Sequence, residues 1–402
     1  MGVFKERTLR VLAADDSAVM RGIMRTLFMR HGESRGELPR MELAGIARDG
    51  MECLEEIAKL APDVLVLDLE MPRMDGLEVL DRLRAIRSKV PVIMCSSHTE
   101  RGARATLDAL ARGASDYVMK PTGHHDFESA LASLSQQLLP RIAALASNSL
   151  RQSKVPGAIP LNEPTGAIVR RESCSAVEVV VIGVSTGGPA ALEQLLPQLP
   201  EDFPVPVLVV QHMPKLFTGV LAERLNRFCR LKVVEASHGV PLCAGAVLLA
   251  PGDAHMEIMP KAVTRPGSLE VVRGFAAKLH YQEPLNHCRP SVDYLFHSAA
   301  RLYGAGTLAL VLTGMGSDGL EGAHAIAAAG GTVLAQDEMS SAVWGMPGRI
   351  AESGIAAAVL PLSVIGREIT QRVKRSRKGR SLPGVDIAEK PQRSPEVVHG
   401  LL

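Results

Sequence analysis

The feature that most constrains the fold is an alternation of short apolar segments with helical patterns, which occurs in two separate stretches of the chain. The first stretch covers residues 8–125 and the second covers residues 177–373. Strands that alternate with helices predict right-handed β-α-β units, and such units build parallel sheets covered by helices on both faces. We therefore expect an α/β protein with two doubly wound parallel-sheet domains.

The rest of the chain lacks this alternation. Residues 126–176 are predicted to hold an amphipathic helix over 126–146 and then a linker, because the later part is rich in Ser, Pro, Gly and Arg. Residues 374–402 are predicted to form a disordered tail. Its basic run is typical of a solvated chain end and does not indicate nucleic-acid binding.

Composition excludes several functional classes. The 402 residues carry a net charge of +2 and only 3% are aromatic, so nothing favours binding of nucleic acid. The six cysteines include no CxxC pair, which fits reduced thiols better than a zinc site or a disulfide framework. The N-terminal segment lacks a signal-peptide core, and no apolar run approaches the roughly 20 residues that span a bilayer. We expect a cytoplasmic protein without membrane insertion.

Polar side chains follow the predicted strands of the first stretch. They are Asp15 and Asp16 after the first strand, Asp68 after VLVL, and Ser96 and Lys120 after two later strands. Parallel strands of a doubly wound sheet end at one edge, so these side chains are expected to converge. Clustered carboxylates repel one another unless a cation lies among them, and oxygen ligands suit Mg²⁺. One such residue alone, for example Asp16, is explained equally well as a helix cap.

Four motifs stand in order within residues 8–125: DDSAVMR, LDLEMPRMDGLEVL, VIMCSS and YVMKP. Together they resemble the receiver domains of two-component response regulators, which have a flavodoxin-like fold. The resemblance implies that Asp68 accepts a phosphoryl group from a histidine kinase. It also implies that Asp15 and Asp16, together with Asp68, bind Mg²⁺.

The same resemblance implies switch roles for three further residues. Lys120 would pair with the phosphoryl oxygens, and Mg²⁺ and Lys120 would together neutralise the charge of the transferred group. Ser96 would donate a hydrogen bond to that group, although the adjacent Ser97 is an alternative. Tyr117 stands where receivers often carry a switching aromatic residue, and ordinary packing explains it as well.

In the second stretch the strand VVVIGV runs into the turn STGG. A dinucleotide-binding fingerprint needs a second glycine where Ser185 stands, and a P-loop needs a Lys after the last glycine, where Pro189 stands. The pattern Gly183-x-Ser185-x-Gly187 has the form of a nucleophile elbow. A serine that only caps the following helix remains an alternative.

A nucleophilic serine needs a base and an orienting acid. His212 directly follows the strand VPVLVVQ, and Asp318 follows the strand TLALVLTG, so parallel pairing would bring both to the edge that carries Ser185. An α/β-hydrolase order, with His324 after Asp253 or Asp293, is less consistent because His324 falls inside a predicted helix.

Further motifs extend the resemblance to nearly the whole chain: IGVSTGGP, QHMP, LAPGDAHM, RPSVDYLF, LTGMGSDGLEGA and WGMPGRIAESG. The sequence resembles the chemotaxis response regulator protein-glutamate methylesterases, whose catalytic domain is Rossmann-like. The resemblance implies that Ser185 is the nucleophile, His212 its general base and Asp318 the orienting acid. It also places Thr186 beside the nucleophile and the backbone amide of Met315 in the oxyanion hole.

The activity implied is hydrolysis of glutamate methyl esters on the cytoplasmic part of chemoreceptors, with deamidation of receptor glutamines as a second activity and no metal in the ester step. A chemotaxis histidine kinase would be the phosphodonor. The alternative is a receiver-controlled serine hydrolase acting on another carboxyl ester. A DNA-binding response regulator would instead carry a short basic helix-turn-helix output, and this output is long, rich in glycine and rich in strands.

Overall fold

The computed structural model describes residues 7–33, 38–121, 126–153, 175–264 and 271–377. Most of the predicted linker and nearly all of the predicted tail lie outside these ranges. Among the described helices, none combines the length and the apolar character needed to cross a bilayer.

The N-terminal part contains a five-stranded sheet in the order β2-β1-β3-β4-β5, and every pair of neighbouring strands is parallel. Its strands are β1 Leu9–Ala14, β2 Met41–Ala47, β3 Val64–Asp68, β4 Val92–Ser96 and β5 Asp116–Met119. Its helices are α1 Ala18–Glu33, α2 Gly50–Leu60, α3 Gly76–Ala85, α4 Glu100–Ala111 and α5 Phe127–Ser153.

Side-chain caps fix where several of these helices begin. Asp49 accepts hydrogen bonds from the first backbone amides of α2, and Thr99 caps α4 in the same way. Asp75 and Glu78 form a reciprocal capping box at the start of α3. Such caps satisfy amides that have no partner within the helix, so they fix the residue at which each helix begins.

Helix α5 is longer than predicted. The amphipathic pattern was expected to end at residue 146, and the helix continues to Ser153. Leu134, Leu138 and Ile142 are completely buried in the hydrophobic cluster formed by β1, β3, β4 and α1. The helix therefore packs as part of the layer that covers the first sheet.

The C-terminal part contains a seven-stranded sheet in the order β14-β13-β12-β6-β7-β9-β8, again with only parallel neighbours. Its strands are β6 Val179–Val184, β7 Val207–Gln211, β8 Lys232–Glu235, β9 Ala246–Leu249, β12 Thr307–Val311, β13 Thr332–Gln336 and β14 Ala358–Leu360. The strands β10 His255–Thr264 and β11 Val271–His280 form a separate antiparallel pair. The helices are α6 Gly188–Leu195, α7 Lys215–Phe228, α8 Val292–Tyr303, α9 Leu320–Ala328, α10 Met346–Glu352 and α11 Leu362–Arg377.

Two parallel sheets covered by helices match the fold class predicted from the sequence. The β10–β11 pair was not predicted as a pair, and β14 was not predicted at all. Pro260 lies inside β10, and Pro is depleted in strands that belong to a central sheet. Strand β14 has only three residues, too few to show a periodicity.

The register of the central strands places the candidate residues together. Gly183 of β6 pairs with Val210 of β7 on one side and with Val311 of β12 on the other. All six residues of β6 are buried, so the strand anchors the middle of the sheet. The segments that leave β6, β7 and β12 at their carboxyl ends therefore emerge side by side.

The two parts of the chain contact each other where α4 and β5 of the first meet the α6–α7 region of the second. In addition, Asn148 of α5 donates hydrogen bonds to the Ser341 and Ala342 carbonyls. Tyr117 of β5 stacks on Phe217 of α7 with 4.8 Å between ring centroids. Arg104 Nη2 of α4 lies 3.0 Å from Glu223 Oε2 of α7. These contacts make the carboxyl edge of the second sheet adjacent to the first domain.

Candidate active site and phosphorylation site

The turn between β6 and α6 fixes Ser185 at the carboxyl edge of the second sheet. The Ser185 amide donates a hydrogen bond to the Thr313 carbonyl (3.0 Å), and the Gly188 amide donates to the Ser185 carbonyl (2.8 Å). Gly187 has a φ of 76°, a left-handed conformation that favours glycine. The turn is therefore determined by its glycines and presents Ser185, which is partly exposed, at the edge of the sheet.

Gln211, the last residue of β7, ties this turn to the next one. Its Nε2 donates to the backbone carbonyl of Ser185 (3.0 Å) and to that of His212 (3.2 Å). The residue is 2% exposed. A Cβ atom at Gly188 would overlap the Gln211 side chain. The close fit sets the spacing between the backbone of the candidate nucleophile and that of the candidate base.

His212 and Asp318 form a direct contact, as the strand positions predicted. His212 Nε2 lies 2.8 Å from Asp318 Oδ2. The carboxylate lies against the start of α8, where it accepts hydrogen bonds from the Ser291 hydroxyl (2.7 Å) and the Val292 amide (2.6 Å). A helix N-terminus stabilises negative charge, so α8 holds this carboxylate ionised and in place.

The pKa values of the pair move apart. Burial lowers the pKa of His212, but the hydrogen bond to Asp318 and the contact with Cys288 outweigh it and raise the pKa from 6.5 to about 10. Burial raises the pKa of Asp318, but the hydrogen bond with His212 and the donors at the start of α8 hold it below its usual range. The contact with Asp318 therefore favours the protonated ring.

The Ser185 hydroxyl does not reach this pair. Within the described part of the chain it makes no hydrogen bond, and His212 Nδ1 instead faces the Cys288 sulfur at 3.6 Å. The structure thus joins His212 to Asp318 and places Ser185 on an adjacent turn without closing the serine–histidine contact.

The alternative hydrolase order is not favoured by the geometry. His324 lies on an exposed side of α9, and Asp253 is exposed in the turn before β10. Asp293 is buried, but it accepts hydrogen bonds from the Gly322 amide (2.7 Å) and from Asn286 Nδ2 (2.9 Å), not from His324. Burial raises the pKa of Asp293 to about 6, although the Gly322 hydrogen bond opposes this.

Thr186 and Met315 contact the first domain. The Thr186 hydroxyl donates a 2.8 Å hydrogen bond to Asp116 Oδ2, which also lies 3.0 Å from Arg141 Nε. Met315 packs against the hydrophobic cluster that includes α5 and Val343. A residue next to the candidate nucleophile is therefore held by a carboxylate of the other domain.

The acidic cluster predicted in the first domain is present at the carboxyl edge of its sheet. One oxygen each of Asp15, Asp16 and Asp68 lies within 4.8 Å of the others, an arrangement able to hold a metal ion. Lys120 Nζ lies 2.6 Å from Asp68 Oδ2 and 3.0 Å from Asp15 Oδ2. Asp15 Oδ2 is buried, and this ammonium is its charged partner. Three carboxylates this close together fit a cation site.

Asp68 itself has a raised pKa of about 6. Burial is the main cause and the charge of Asp15 adds to it, while Lys120 opposes both. The Ser96 hydroxyl is engaged by α4 and not by Asp68. It accepts a hydrogen bond from Thr106 Oγ1 at 2.7 Å, and Ser96 is fully buried. The switch roles of Ser96 and Tyr117 remain predictions.

Comparison with known proteins gives a consistent result. The family model described as CheB methylesterase matches residues 180–369, and the one described as response regulator receiver domain matches residues 11–132. A protein-glutamate methylesterase/protein-glutamine glutaminase of Nocardioides sp. is 44% identical over 92% of this chain and 96% of its own length. The proteins of the same name from Trichodesmium erythraeum and, as number 2, from Caulobacter vibrioides are each 40% identical, over 90% and 91% of this chain and 99% of their own lengths.

This chain belongs to the protein-glutamate methylesterase/protein-glutamine glutaminase family. Among solved structures, the Thermotoga maritima CheB methylesterase catalytic domain is 40% identical and covers 49% of this chain and 98% of its own, with a TM-score of 0.45. The response regulator domain of Thermotoga maritima CheB is 37% identical and covers 34% of this chain and 94% of its own, with a TM-score of 0.29.

Several residues of this methylesterase family member were not singled out from the sequence as parts of the site. Gln211 donates to the backbone carbonyls of Ser185 and His212. Cys288 faces His212, and Asn286 Nδ2 donates to Asp318 Oδ1 at 3.1 Å. Gln211 is a polar residue at the end of a buried strand, and that position was a sequence signal for a role in the site. No sequence signal marked Asn286 or Cys288, because the loop that carries them has no periodicity.

Proposed function

We propose that this chain is a phosphorylation-controlled serine esterase that hydrolyses glutamate γ-methyl esters of chemoreceptors and deamidates particular receptor glutamines. The observation that carries the proposal is the buried His212–Asp318 contact beside the Ser185 turn, in a chain of this family. Its setting is the cytoplasm, where the cytoplasmic helices of chemoreceptors are exposed.

In the proposed reaction Ser185 attacks the ester carbonyl while His212 accepts the serine proton. Because Nε2 is bound to Asp318, Nδ1 is the ring nitrogen that takes this proton and later gives it to the leaving methoxide. Water then hydrolyses the acyl-enzyme by the same route. With a glutamine substrate, ammonia leaves in place of methanol.

Stabilisation of the oxyanion is assigned to backbone donors at the mouth of the site. The Met315 amide lies in the turn that follows β12, and a Cβ at Gly314 would crowd the Cβ of Ser185. That close approach supports a position for the Met315 turn beside the reacting carbon. Thr186, the neighbour of the nucleophile, is assigned to the same site.

The proposed switch is phosphorylation of Asp68 by a chemotaxis histidine kinase. Asp15, Asp16 and Asp68 would hold Mg²⁺, which neutralises charge on the transferring phosphoryl group when it is bound. The contact between the Lys120 ammonium and Asp68 supports a role for Lys120 in pairing with the phosphoryl oxygens. The close approach of the three carboxylates supports a cation at this position.

Control of the esterase is assigned to the contact between the two domains. We take residues 8–125 as the receiver, 126–176 as helix and linker, 177–373 as the esterase and 374–402 as the tail. Two observations support an inactive resting form: Asp116 accepts a hydrogen bond from Thr186, and His212 Nδ1 faces Cys288 with no hydrogen bond to Ser185 among the described residues. Phosphorylation would shift the population towards an uncovered site.

The test is replacement of the nucleophile. Ser185→Ala should abolish methanol release from methylated receptor membranes, while acetyl phosphate still phosphorylates Asp68. Ser353→Ala, at an exposed serine after α10, is the matched control and should keep full activity. Methanol release by Ser185→Ala at the rate of the unmodified chain would refute the assignment.

A further inference from the structure

The thiol of Cys288 lies at the one nitrogen of His212 that Asp318 does not hold. Sγ is 3.6 Å from Nδ1, and Nε2 is bound to Asp318 at 2.8 Å. A nucleophile within reach of a base, with the base oriented by an acid, is the general arrangement of an activated nucleophile. Cys288 is partly exposed, so small reagents can reach it.

The loop that carries Cys288 holds the sulfur in this place. The Cys288 amide donates to the Leu285 carbonyl (2.9 Å), and the Leu285 amide donates back to the Cys288 carbonyl (3.1 Å). Between them, Asn286 extends its amide to both Asp318 and Asp293. The loop is thus fastened to the same carboxylate that orients the histidine.

The other described cysteines lack this arrangement. Cys53 and Cys95 are buried, and burial raises the pKa of both thiols, that of Cys53 to about 12. Burial also raises the pKa of Cys229, to about 11. Cys243 is exposed, and its sulfur has no hydrogen-bond partner among the described residues. Cys243 is therefore a natural internal reference for a thiol that is accessible and not activated.

A metal ion is the competing explanation for this cluster, because donor atoms of His212, Cys288 and Asp318 lie within 4.8 Å of one another. Both Asp318 oxygens already accept hydrogen bonds, Oδ1 from Ser291 and Oδ2 from Val292 and His212. Two free donors are too few for a stable zinc site, which takes four ligands or three and a water. The cluster is better suited to activating a thiol.

We propose that Cys288 is a second nucleophile served by the His212–Asp318 pair, and that its covalent modification by peroxides and other soft electrophiles switches the esterase off. The inference rests on the proposed role of His212 as the base of the esterase. The thiolate is the reactive form of a cysteine, and a ring nitrogen 3.6 Å from the sulfur is within reach of the thiol proton.

With hydrogen peroxide the step is a two-electron oxidation of sulfur. With the thiol proton held on His212 Nδ1, the Cys288 thiolate attacks one peroxide oxygen. The S–O bond forms as the O–O bond breaks, and the departing hydroxide takes the proton back from His212 to give water. The product is a sulfenic acid, which a thiol reductant returns to the free cysteine.

Modification at this position stops the ester reaction for a geometric reason. Nδ1 is the atom that must accept the Ser185 proton. An oxygen or an alkyl group on a sulfur 3.6 Å away occupies the approach to that atom. The serine hydroxyl then cannot form the hydrogen bond that activates it.

The first measurement needs no esterase activity. The full-length chain is treated with iodoacetamide at neutral pH, and the labelling rates of the Cys288 and Cys243 peptides are read by mass spectrometry. We expect Cys288 to react about tenfold faster. In His212→Gln the Cys288 rate should fall to that of Cys243, whose own rate serves as the folding control. Equal rates in the unmodified chain, or a Cys288 rate indifferent to His212→Gln, would overturn the inference.

The second measurement follows methanol release by the acetyl phosphate-activated enzyme after peroxide treatment, each protein relative to its own untreated sample. The unmodified chain and Cys243→Ser should lose most of their activity and recover it with dithiothreitol, while Cys288→Ser keeps it. Loss in Cys288→Ser equal to that of the unmodified chain would reject the proposal. If untreated enzyme releases no methanol while labelling still depends on His212, the proposed function fails and the second nucleophile stands.

Discussion

At the scale of single residues, the charge of Asp318 controls the pKa of the His212 ring. The carboxylate is 3% exposed, it is bound at the start of α8, and it contacts one nitrogen of the ring. An amide at this position keeps the shape and removes the charge. The variant Asp318→Asn therefore isolates the electrostatic part of the contact from its packing.

We predict that Asp318→Asn lowers the pKa of His212 and reduces kcat by about three to four orders of magnitude. Without the negative charge, burial is the dominant influence on the ring, and burial favours neutral imidazole. The shift is measurable by NMR titration of the His212 ring, and kcat by methanol release. An unchanged His212 titration would contradict the assignment of the raised pKa to Asp318.

The same contact makes stability depend on pH. The folded pKa of His212 is raised above 6.5, so its contribution is complete below 6.5 and is lost as pH rises towards about 10. The folded pKa of Asp318 lies below 3.8, so its contribution is present above 3.8 and is lost as pH falls below that value. The pair therefore stabilises the fold most between about 4 and 6.5.

We predict that the difference in free energy of unfolding between the unmodified chain and Asp318→Asn is larger at pH 6 than at pH 9.5. Urea denaturation at the two pH values measures it. The exposed Asp81→Asn is a suitable control and should show no such trend, because its partner Arg112 stays charged over this range. A difference that grows with pH would mean that the ring is neutral in the fold.

The residues that meet at the site differ in how far the sequence could place them. His212 and Asp318 follow parallel strands, and such strands share an edge, so strand order alone brought them close. Cys288 and Asn286 belong to a loop held by its own hydrogen bonds. Their positions depend on the three-dimensional packing of that loop and could not be read from spacing.

At the scale of elements, the β6–α6 turn works only if Gln211 fits beneath it. Gly188→Ala should displace the Gln211 side chain, because the added methyl group overlaps its Oε1. The Ser185 and His212 carbonyls would then lose their common donor, and a shift of about 1 Å at the nucleophile costs about a hundredfold in kcat. Measurement is by methanol release under saturating phosphodonor.

The matched control for Gly188→Ala is Gly22→Ala in helix α1. A Cβ at Gly22 meets no atom within 4 Å, so the substitution should leave kcat unchanged and stabilise the fold by up to about 1 kcal/mol. If both variants lost activity equally, the loss would reflect general destabilisation and not the position of Ser185.

The elements that the sequence predicted best are the buried parallel strands. Strand β6 covers the predicted run VVVIGV from end to end, and β3 contains the predicted run VLVL. Strands buried on both faces form continuous apolar runs, which are easy to recognise. The β10–β11 pair belongs to neither main sheet. Its strands therefore do not form the continuous apolar runs that made the central strands recognisable.

At the scale of the whole molecule, the surfaces of α4 and α7 determine how the two domains pack against each other. Nothing in the sequence of either domain specified which helices meet, because the pairs are exposed charges such as Arg104 and Glu223. The sequence predicted two domains with a regulatory relation. The contacts that join Asp116 to Thr186 and Tyr117 to Phe217 were visible only in the folded chain.

We predict that Arg104→Glu raises methanol release in the absence of a phosphodonor by up to about fivefold, since an exposed ion pair contributes at most about 1 kcal/mol. Glu223→Arg should have a similar effect. The double variant restores the pair with its charges reversed and should return activity to the resting level. A double variant more active than either single one would show that this contact does not hold the domains together.

The strength of the interface between the domains sets how much esterase activity remains without phosphorylation. The interface contacts include the hydrogen bond to Thr186, a hydrogen bond from Asn148 to Ser341, one aromatic stack and exposed ion pairs, each worth on the order of 1 kcal/mol. Each loss of about 1.4 kcal/mol from the closed state raises the open fraction about tenfold. We therefore expect slow hydrolysis of methyl esters even without a stimulus, so that phosphorylation would multiply a standing rate instead of starting one from zero.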